Sequence, residues 1–203
     1  ELVGEAIKGT ERKDLFITTK VWKEDLSHEG VLKAAEGSMR RMGIDYIDLY
    51  LVHWPNPEFE LEETMRAMSE LKKKGAIRHI GVSNFSIQML KEAMRYSIIF
   101  AHQIKYNVKV QDKDMVKFCQ DNDIIITAYQ PLARTELARP GIDKLDQLAK
   151  KYKKTQAQIA INWLVSHKNV TAIPKASDPK HIKENLEALE FKMDKEDISK
   201  LDQ

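Results

Sequence analysis

Six apolar, strand-like segments of this chain each lead to polar or aromatic side chains that could take part in chemistry. These side chains are Lys20, His53, Ser83 with Asn84, Gln103, Tyr129 and Lys175. The hydroxyl and amide groups suit the binding of a carboxamide, because such a group needs both donors and acceptors. Tyr129 offers a flat ring for stacking, and Lys175 offers a positive charge just before a predicted helix N-terminus, a good place for a phosphate. Together they favour a ligand with a nicotinamide at one end and a phosphate at the other.

Each of these residues alone is weak evidence, since a lysine at a strand end is usually solvated and a single histidine is usually structural. Their positions in the chain give the set its weight. The segments start near residues 15, 46, 78, 102, 124 and 170, a mean spacing of about 31 residues, with helical patterns between them. The carboxyl ends of parallel strands meet at one mouth of a barrel, so we expect the side chains to converge on one pocket.

The stretch IDYIDLYLVHWP, residues 44–55, is the element that positions His53. Its apolar residues follow one another almost without interruption: Ile47, Leu49, Tyr50, Leu51 and Val52. Such a run is typical of a strand buried on both faces in a parallel sheet. A titratable side chain at its far end lies where α/β proteins place their chemistry.

Apolar spacing and end signals predict the remaining elements. Predicted strands lie at residues 15–18, 77–85 (at most five of them in strand), 101–107, 124–132 and 170–175. Predicted helices lie at residues 1–9, 28–42, 61–71, 86–96, 112–121, 142–152, 156–166, 179–186 and 195–201. The first helix has no N-cap before it, and we interpret it as a cut helix.

Strict alternation of strands and helices predicts a parallel α/β fold. A doubly wound sheet would want a glycine-rich turn after its first strand, and the turn TKVWKED contains no glycine. The alternative is a (β/α)8 TIM barrel, which needs roughly 250 residues. We therefore expect residues 1–203 to form a single, incomplete TIM-barrel domain of about six βα units, with the first two strands missing from the sequence.

Composition excludes several classes of function. Lys and Arg number 33 against 31 Asp and Glu, and the lysines are scattered, which argues against nucleic acid as a partner. The single cysteine, Cys119, cannot form an internal disulfide, which favours a reducing cytoplasm. No apolar run approaches the roughly 18 residues of a membrane span, so no membrane is expected. No cluster has metal-ligand spacing, and no serine lies in a nucleophile-elbow setting.

Five motifs carry a resemblance to a known family: FITTKVW, LYLVHWP, IRHIGVSNF, ITAYQPL and IPKASDPKHIKEN. In this order, and across nearly the whole chain, they resemble the aldo-keto reductase superfamily. The short connection at residues 55–62 is similar to that of prokaryotic-type members. The resemblance implies a barrel that reduces aldehydes and ketones to alcohols by hydride transfer from NADPH, without a metal.

The resemblance also implies roles for individual residues. The catalytic pair is Lys20 and His53. The cofactor-binding residues are Ser83, Asn84 and Gln103 at the carboxamide, Tyr129 as the stacking ring, Lys175 at the 2′-phosphate, Glu184 and Asn185 on the adenine side, and with them Leu132, Ser177 and His181. The substrate-binding residues are Trp22 and Trp54.

Two departures from the family pattern change these expectations. Ala176 and His181 stand where the family usually has a serine and an arginine, and imidazole does not replace the bidentate fork of an arginine. Ser177 is a substitute for the serine. NADPH remains the expected cofactor, with NADH as the alternative.

The second departure concerns the general acid. In the family a tyrosine, activated by the lysine and an aspartate, lies just ahead of the helix that ELVGEAIKG resembles, and this sequence begins after it. Losing a general acid costs typically 10²–10⁴-fold in rate. The chain as written is thus expected to be a fragment with impaired or no catalysis. We expect a monomer if the protein is intact, and pairing into a dimer through exposed strand edges if it is truncated.

Two other functions remain open at this point. One is a non-catalytic module that binds or senses NADP(H), and the other is a purely structural barrel. Binding of NADPH without turnover would indicate the first, and no binding at all would indicate the second.

Overall fold

The computed structural model describes residues 1–202, which divide into two compact units, Glu1–His102 and a second that begins at Gln103. The strands are β1 (Thr18–Val21), β2 (Ile47–Val52), β3 (Ile77–Ser83), β4 (Ile99–Lys105), β5 (Ile125–Tyr129) and β6 (Val170–Ala172). The helices are α1 (Leu2–Ala6), α2 (His28–Met42), α3 (Leu61–Lys73), α4 (Ile87–Ala93), α5 (Lys113–Asp121), α6 (Asp143–Tyr152), α7 (Gln156–Val165), α8 (Pro179–Glu187) and α9 (Lys195–Leu201). None of the helices in this part of the chain is both long and apolar enough to cross a bilayer.

The strands follow one another in the sheet in chain order. In the first unit β1 pairs with β2 and β2 with β3, and in the second β5 pairs with β6, each time in parallel. All six residues of β2 are buried, as the uninterrupted apolar run predicts. The parallel pairing and the alternation of strands with helices confirm the predicted α/β layout.

Helix ends follow the local signals of the sequence. Ser27 caps α2 by accepting a hydrogen bond from the Gly30 N–H at 3.1 Å, and Gly43 ends this helix in the left-handed region. Thr155 and Gln158 form a capping box at the start of α7. Both boundaries agree with the predicted ones within a residue.

The predicted first strand is misplaced. It was expected at residues 15–18, whereas β1 is Thr18–Val21, so Lys20 lies within the strand and not after it. Side chains take two backbone groups just before β1: Arg12 donates to the Leu15 carbonyl at 2.9 Å, and Asp48 accepts from the Ile17 N–H at 2.8 Å. Because side chains engage these two backbone groups, the regular pairing of β1 with β2 begins only at Thr18.

Other predicted bounds are wrong as well: β4 begins and ends two residues earlier than predicted, and α4 ends at Ala93 instead of residue 96. Three further elements differ in length. β3 has seven residues instead of at most five, because the strand continues through Gly81. A Cβ at this position would lie 2.6 Å from the Ala101 carbonyl oxygen, so the close approach of the neighbouring backbone requires a glycine. β6 stops at Ala172 instead of residue 175, since Pro174 has no N–H to donate. The first helix is α1, Leu2–Ala6, rather than residues 1–9.

Asp48 joins three segments of the first unit near the beginning of β2. Its buried carboxylate accepts from Arg12 at 2.6 Å and from Arg78 at 2.9 Å, besides the Ile17 N–H. The ring of Tyr46 lies between the two guanidinium groups, 3.8 and 3.9 Å from them. Burial alone would raise the pKa of Asp48, but the bond from Ile17 and the two positive charges outweigh it and lower the pKa.

Asp197 plays a similar part in the second unit. Its buried carboxylate on α9 accepts from Lys151 at 2.5 Å and from the Tyr152 hydroxyl at 2.6 Å, both on α6, and from Lys200 at 2.6 Å. These hydrogen bonds hold the pKa of Asp197 well below its usual range. The carboxylate therefore fastens the last helix to α6.

Candidate functional site

Lys20 and His53 lie at the carboxyl ends of two neighbouring strands. Lys20 is the third residue of β1, and the His53 N–H, directly after β2, donates to the Val21 carbonyl at 3.0 Å. Both side chains are partly buried. Burial lowers the pKa of Lys20, and burial followed by the positive charge of Lys20 lowers the pKa of His53. The predicted catalytic pair is therefore together, with the neutral form of the imidazole favoured.

Two tryptophans stand beside this pair. The Trp22 ring meets the His53 ring edge-on, with 4.7 Å between the ring centroids. Trp22 is 47% exposed and Trp54, the next residue after His53, is 41% exposed. The exposed Trp22 indole against a partly buried imidazole is an arrangement suited to the binding of a small organic molecule, and the substrate-binding role of both tryptophans stays a prediction.

Ser83 and Asn84 form the end of β3. Ser83 is buried, and Asn84 has a left-handed backbone with a φ of 62°. The Asn84 amide donates to the His53 carbonyl at 3.2 Å and to the Ser83 hydroxyl at 2.9 Å. In the first unit, five predicted residues therefore lie together at the ends of β1, β2 and β3. We call them the strand-end cluster: Lys20, Trp22, His53, Ser83 and Asn84.

In the second unit, Gln103 and Tyr129 lie on β4 and β5. Gln103 is buried, whereas Tyr129 is partly buried, and burial raises its phenol pKa. The loop after Tyr129 contains three non-glycine residues with left-handed backbones, Gln130, Ala133 and Arg134. Such conformations are uncommon outside glycine and indicate that the surroundings hold this loop in place. Asn107 supplies one such contact by donating to the Gln130 carbonyl at 2.9 Å.

The same loop forms one wall of a pocket of about 320 Å³. Its lining residues are Gln130, Pro131, Leu132, Arg134, Ile173, Pro174 and Lys175. The structure therefore brings the predicted residues Leu132 and Lys175 together and adds a second cation, Arg134. Apolar walls with two cations are a suitable donor set for a phosphorylated nucleotide.

The start of α8, where the sequence predicts a phosphate site, is exposed and capped by an acidic residue. Lys175, Ser177 and His181 are all exposed there. The Asp178 carboxylate caps the helix by accepting from the Lys180 N–H at 2.8 Å, so an acidic group already occupies the N-terminus.

Glu184 and Asn185 lie one turn further along α8 and are partly buried. The Glu184 carboxylate is 4.0 Å from the Lys180 amine, and the Glu184 carbonyl accepts from Gln158 at 3.2 Å. The structure thus gathers the predicted adenine-side residues on one short helix.

The sequence model of the Aldo/keto reductase family matches residues 1–203. The chain belongs to the aldo/keto reductase family. The predicted family is therefore confirmed. A curated relative, glyoxal reductase of Bacillus subtilis, is 38% identical over 100% of this chain and 73% of its own length.

Solved structures of aldo-keto reductases share this fold. A thermostable aldo-keto reductase, Tm1743, solved with the inhibitor epalrestat, is 44% identical with a TM-score of 0.94, covering 99% of this chain and 75% of the other. An aldo/keto reductase from Klebsiella pneumoniae, solved with NADP and acetate, is 30% identical with a TM-score of 0.89, covering 99% and 73%. The likeness confirms the predicted fold class: six parallel strands in the layout of a (β/α)8 barrel.

Two residues near the site were missed from the sequence. His102, the residue before Gln103, accepts a hydrogen bond from the Phe85 N–H at 3.1 Å. Arg134 lines the pocket with Lys175. Each had a weak signal, because each lies within five residues of a predicted site residue, but neither stands at a strand end. The individual roles of the predicted residues remain predictions.

Proposed function

We propose that this aldo/keto reductase reduces small aldehydes or ketones to alcohols, with NADPH as the hydride source. The observation that carries the proposal is the pairing of Lys20 with His53 at adjacent strand ends, where burial and, after it, the lysine charge lower the pKa of the imidazole. Two polar groups that can reach the same carbonyl oxygen are what the reduction of a carbonyl requires.

The cofactor is proposed from the donor sets of the two units. Ser83 and Asn84 would hold the carboxamide in the first unit, and Gln103 and Tyr129 offer an amide and a ring in the second. The pocket of Arg134 and Lys175 would hold phosphate. When bound, NADPH supplies a hydride to the carbonyl carbon. NADH is the alternative, because the Asp178 carboxylate at the start of α8 disfavours an extra phosphate there.

Lys20 and His53 would act on the carbonyl oxygen. In its neutral form, favoured by the lowered pKa, His53 can donate one N–H to this oxygen and so orient the substrate. The Lys20 ammonium stabilises the negative charge that develops on the oxygen, and its lowered pKa makes its proton easier to give up. Trp22 and Trp54 would exclude water from one side of the substrate.

The substrate class is proposed to be small oxoaldehydes. The similarity to the glyoxal reductase supports this choice. In addition, Trp22 and Trp54 would offer two indole walls beside the two polar groups of Lys20 and His53, enough for a compact dicarbonyl compound.

The location is proposed to be a reducing cytoplasm. The single cysteine, Cys119, is buried, and burial raises the pKa of its thiol to about 12, so it behaves as a packed core residue. The intact protein is proposed to be a monomer.

The test is a spectrophotometric assay of NADPH oxidation with glyoxal and a panel of other small aldehydes. We expect steady consumption of NADPH by the intact protein, slower with NADH. His53→Ala should cut the rate at least about a hundredfold. The matched control is His28→Ala, since His28 lies on α2 and pairs with Glu70 at 3.0 Å.

Two results would contradict the proposal. No consumption across the whole panel would remove the enzymatic function. If NADPH quenched the protein fluorescence without turnover, a binding module would replace it. Equal losses in the His53 and His28 variants would show that His53 acts through stability alone.

A further inference from the structure

His102 is a buried histidine that the proposed chemistry does not use. It lies on β4 with none of its surface exposed, and its Nε2 is 3.1 Å from the Phe85 backbone nitrogen. A backbone N–H can only donate, so Nε2 must be the acceptor, and the ring is neutral with its proton on Nδ1. The imidazole thus serves as a fixed hydrogen-bond acceptor inside the core.

The bond that His102 accepts comes from the residue after a strained turn. Asn84 has a φ of 62°, a left-handed conformation that is uncommon for residues other than glycine. Phe85 follows it directly and is buried. Holding the Phe85 N–H fixes the peptide group that follows Asn84, and so favours the left-handed conformation of Asn84.

The side chain of Asn84 then reaches His53. Its amide donates to the His53 carbonyl at 3.2 Å, while the His53 N–H donates to the Val21 carbonyl at 3.0 Å. The backbone of His53 is therefore held on both sides, once by β1 and once by Asn84. A chain of contacts runs from the His102 imidazole through the turn to the proposed catalytic residue.

We propose that His102 is a positioning residue for His53. By holding the Phe85 N–H, it fixes the turn at Asn84, which in turn sets the backbone of His53 and the direction of its ring. Its effect on rate rests on the proposed reductase function, whereas its effect on the His53 ring does not. Misplacing a catalytic group by about 1 Å can cost up to about a hundredfold in rate.

Two substitutions distinguish a positioning role of the His102 side chain from a role in core packing alone. His102→Leu keeps most of the volume but removes the acceptor, whereas His102→Gln places an amide oxygen about where Nε2 lies. We expect the leucine variant to lose on the order of tenfold to a hundredfold in kcat at saturating NADPH and aldehyde, and the glutamine variant to recover most of it. The matched control is His79→Leu, because the His79 ring stacks on the Phe100 ring, with 4.0 Å between the ring centroids, whereas the ring of His102 bonds the Phe85 N–H.

The second readout is the titration of the His53 ring by NMR, which needs no turnover. We expect its chemical shift and pKa to change in His102→Leu and to return in His102→Gln. If the wild type has no reductase activity, the proposed function fails, but this titration still tests the positioning. An unchanged His53 signal in a folded leucine variant would overturn the proposal, as would equal kcat losses in the leucine and glutamine variants.

A leucine variant that does not fold would be replaced by His102→Met, which also lacks a strong acceptor but adapts its shape more easily. The tautomer of His102 in the wild type gives a check without any substitution. Nitrogen chemical shifts should show an unprotonated Nε2 and a protonated Nδ1. A proton on Nε2 would overturn the proposal.

Discussion

Two regions of the molecule carry the predicted site residues, and they are built differently. In the strand-end cluster of the first unit, the backbone of His53 is bonded on both sides, and its ring packs against Trp22. In the second unit, the residues proposed to hold the phosphate, Arg134 and Lys175, are exposed side chains in the segments that follow β5 and β6.

The difference follows from what each region is proposed to do. A group that acts on a carbonyl must be held within a fraction of an ångström, so it needs hydrogen bonds and packing that fix its position. A group that attracts a phosphate works through charge over several ångströms, and a long mobile side chain is sufficient. Substitutions in the two regions should therefore fail in different ways, the first in rate and the second in affinity.

The largest expected effect tests the strand-end cluster. Lys20→Met should lower kcat by about 10²–10⁴-fold, because it removes the charge proposed to stabilise the oxygen of the reduced carbonyl. The affinity for NADPH, measured by fluorescence quenching, should stay the same. Lys23→Met is the matched control, since Lys23 is an exposed lysine in the segment after β1. A Lys20 variant that binds NADPH weakly but turns over normally would contradict the expected difference between the two regions, rate in the first and affinity in the second.

A smaller effect, on stability, is expected from Asp48, which joins three segments of the first unit. Asp48→Asn should lower the free energy of unfolding by about 3 kcal/mol at pH 7, because Arg12 and Arg78 lose their charged partner. The folded-state pKa of Asp48 is lowered, so its stabilisation is full above the unfolded value of about 3.9 and is lost as the pH falls through the folded pKa. Urea unfolding of both proteins at neutral and at acid pH measures this.

The gap in stability between wild type and Asp48→Asn should therefore narrow as the pH falls through the acid range. A gap that stays constant with pH would show that packing, not charge, accounts for the loss. Asp123→Asn is the control, because the Asp123 carboxylate is exposed and lies 3.7 Å from the exposed Lys168.

The smallest effect tests the second region. Lys175→Met should weaken NADPH binding about tenfold, the loss expected for one charge-assisted bond, and leave NADH binding unchanged. Its kcat at saturating cofactor should equal that of the wild type. Lys192→Met, a change at another exposed lysine, serves as the control. Equal weakening of NADPH and NADH would show that Lys175 does not distinguish the 2′-phosphate.

The parts of the fold that could be predicted are those with local signals. β2 follows from its continuous apolar run, α2 from its apolar face and its stop at Gly43, and α7 from its cap at Thr155. The start of β1 could not be predicted, because it depends on a contact between Ile17 and Asp48, which is 31 residues away in the chain. No local propensity contains that information.

The site shows the same division. Lys20 and His53 could be paired from topology alone, because neighbouring parallel strands place their ends together. The bond between His102 and Phe85 was not foreseen, since it joins residues 17 apart through a turn whose left-handed conformation has no glycine to reveal it. Asp178 was visible in the sequence, but its role as the cap of α8 became clear only from the hydrogen bond that its carboxylate accepts from the Lys180 N–H.

The position of Asp48 on β2 has one more consequence. Asp48 and His53 lie near opposite ends of this strand, about 16 Å apart at the usual rise per residue. The rigid strand therefore separates the hydrogen bonds of Asp48 from the proposed catalytic residue His53. Changes in the loop that follows Trp54 are therefore expected to leave the hydrogen bonds of Asp48 intact, which makes that loop a starting point for redesign of the proposed substrate site.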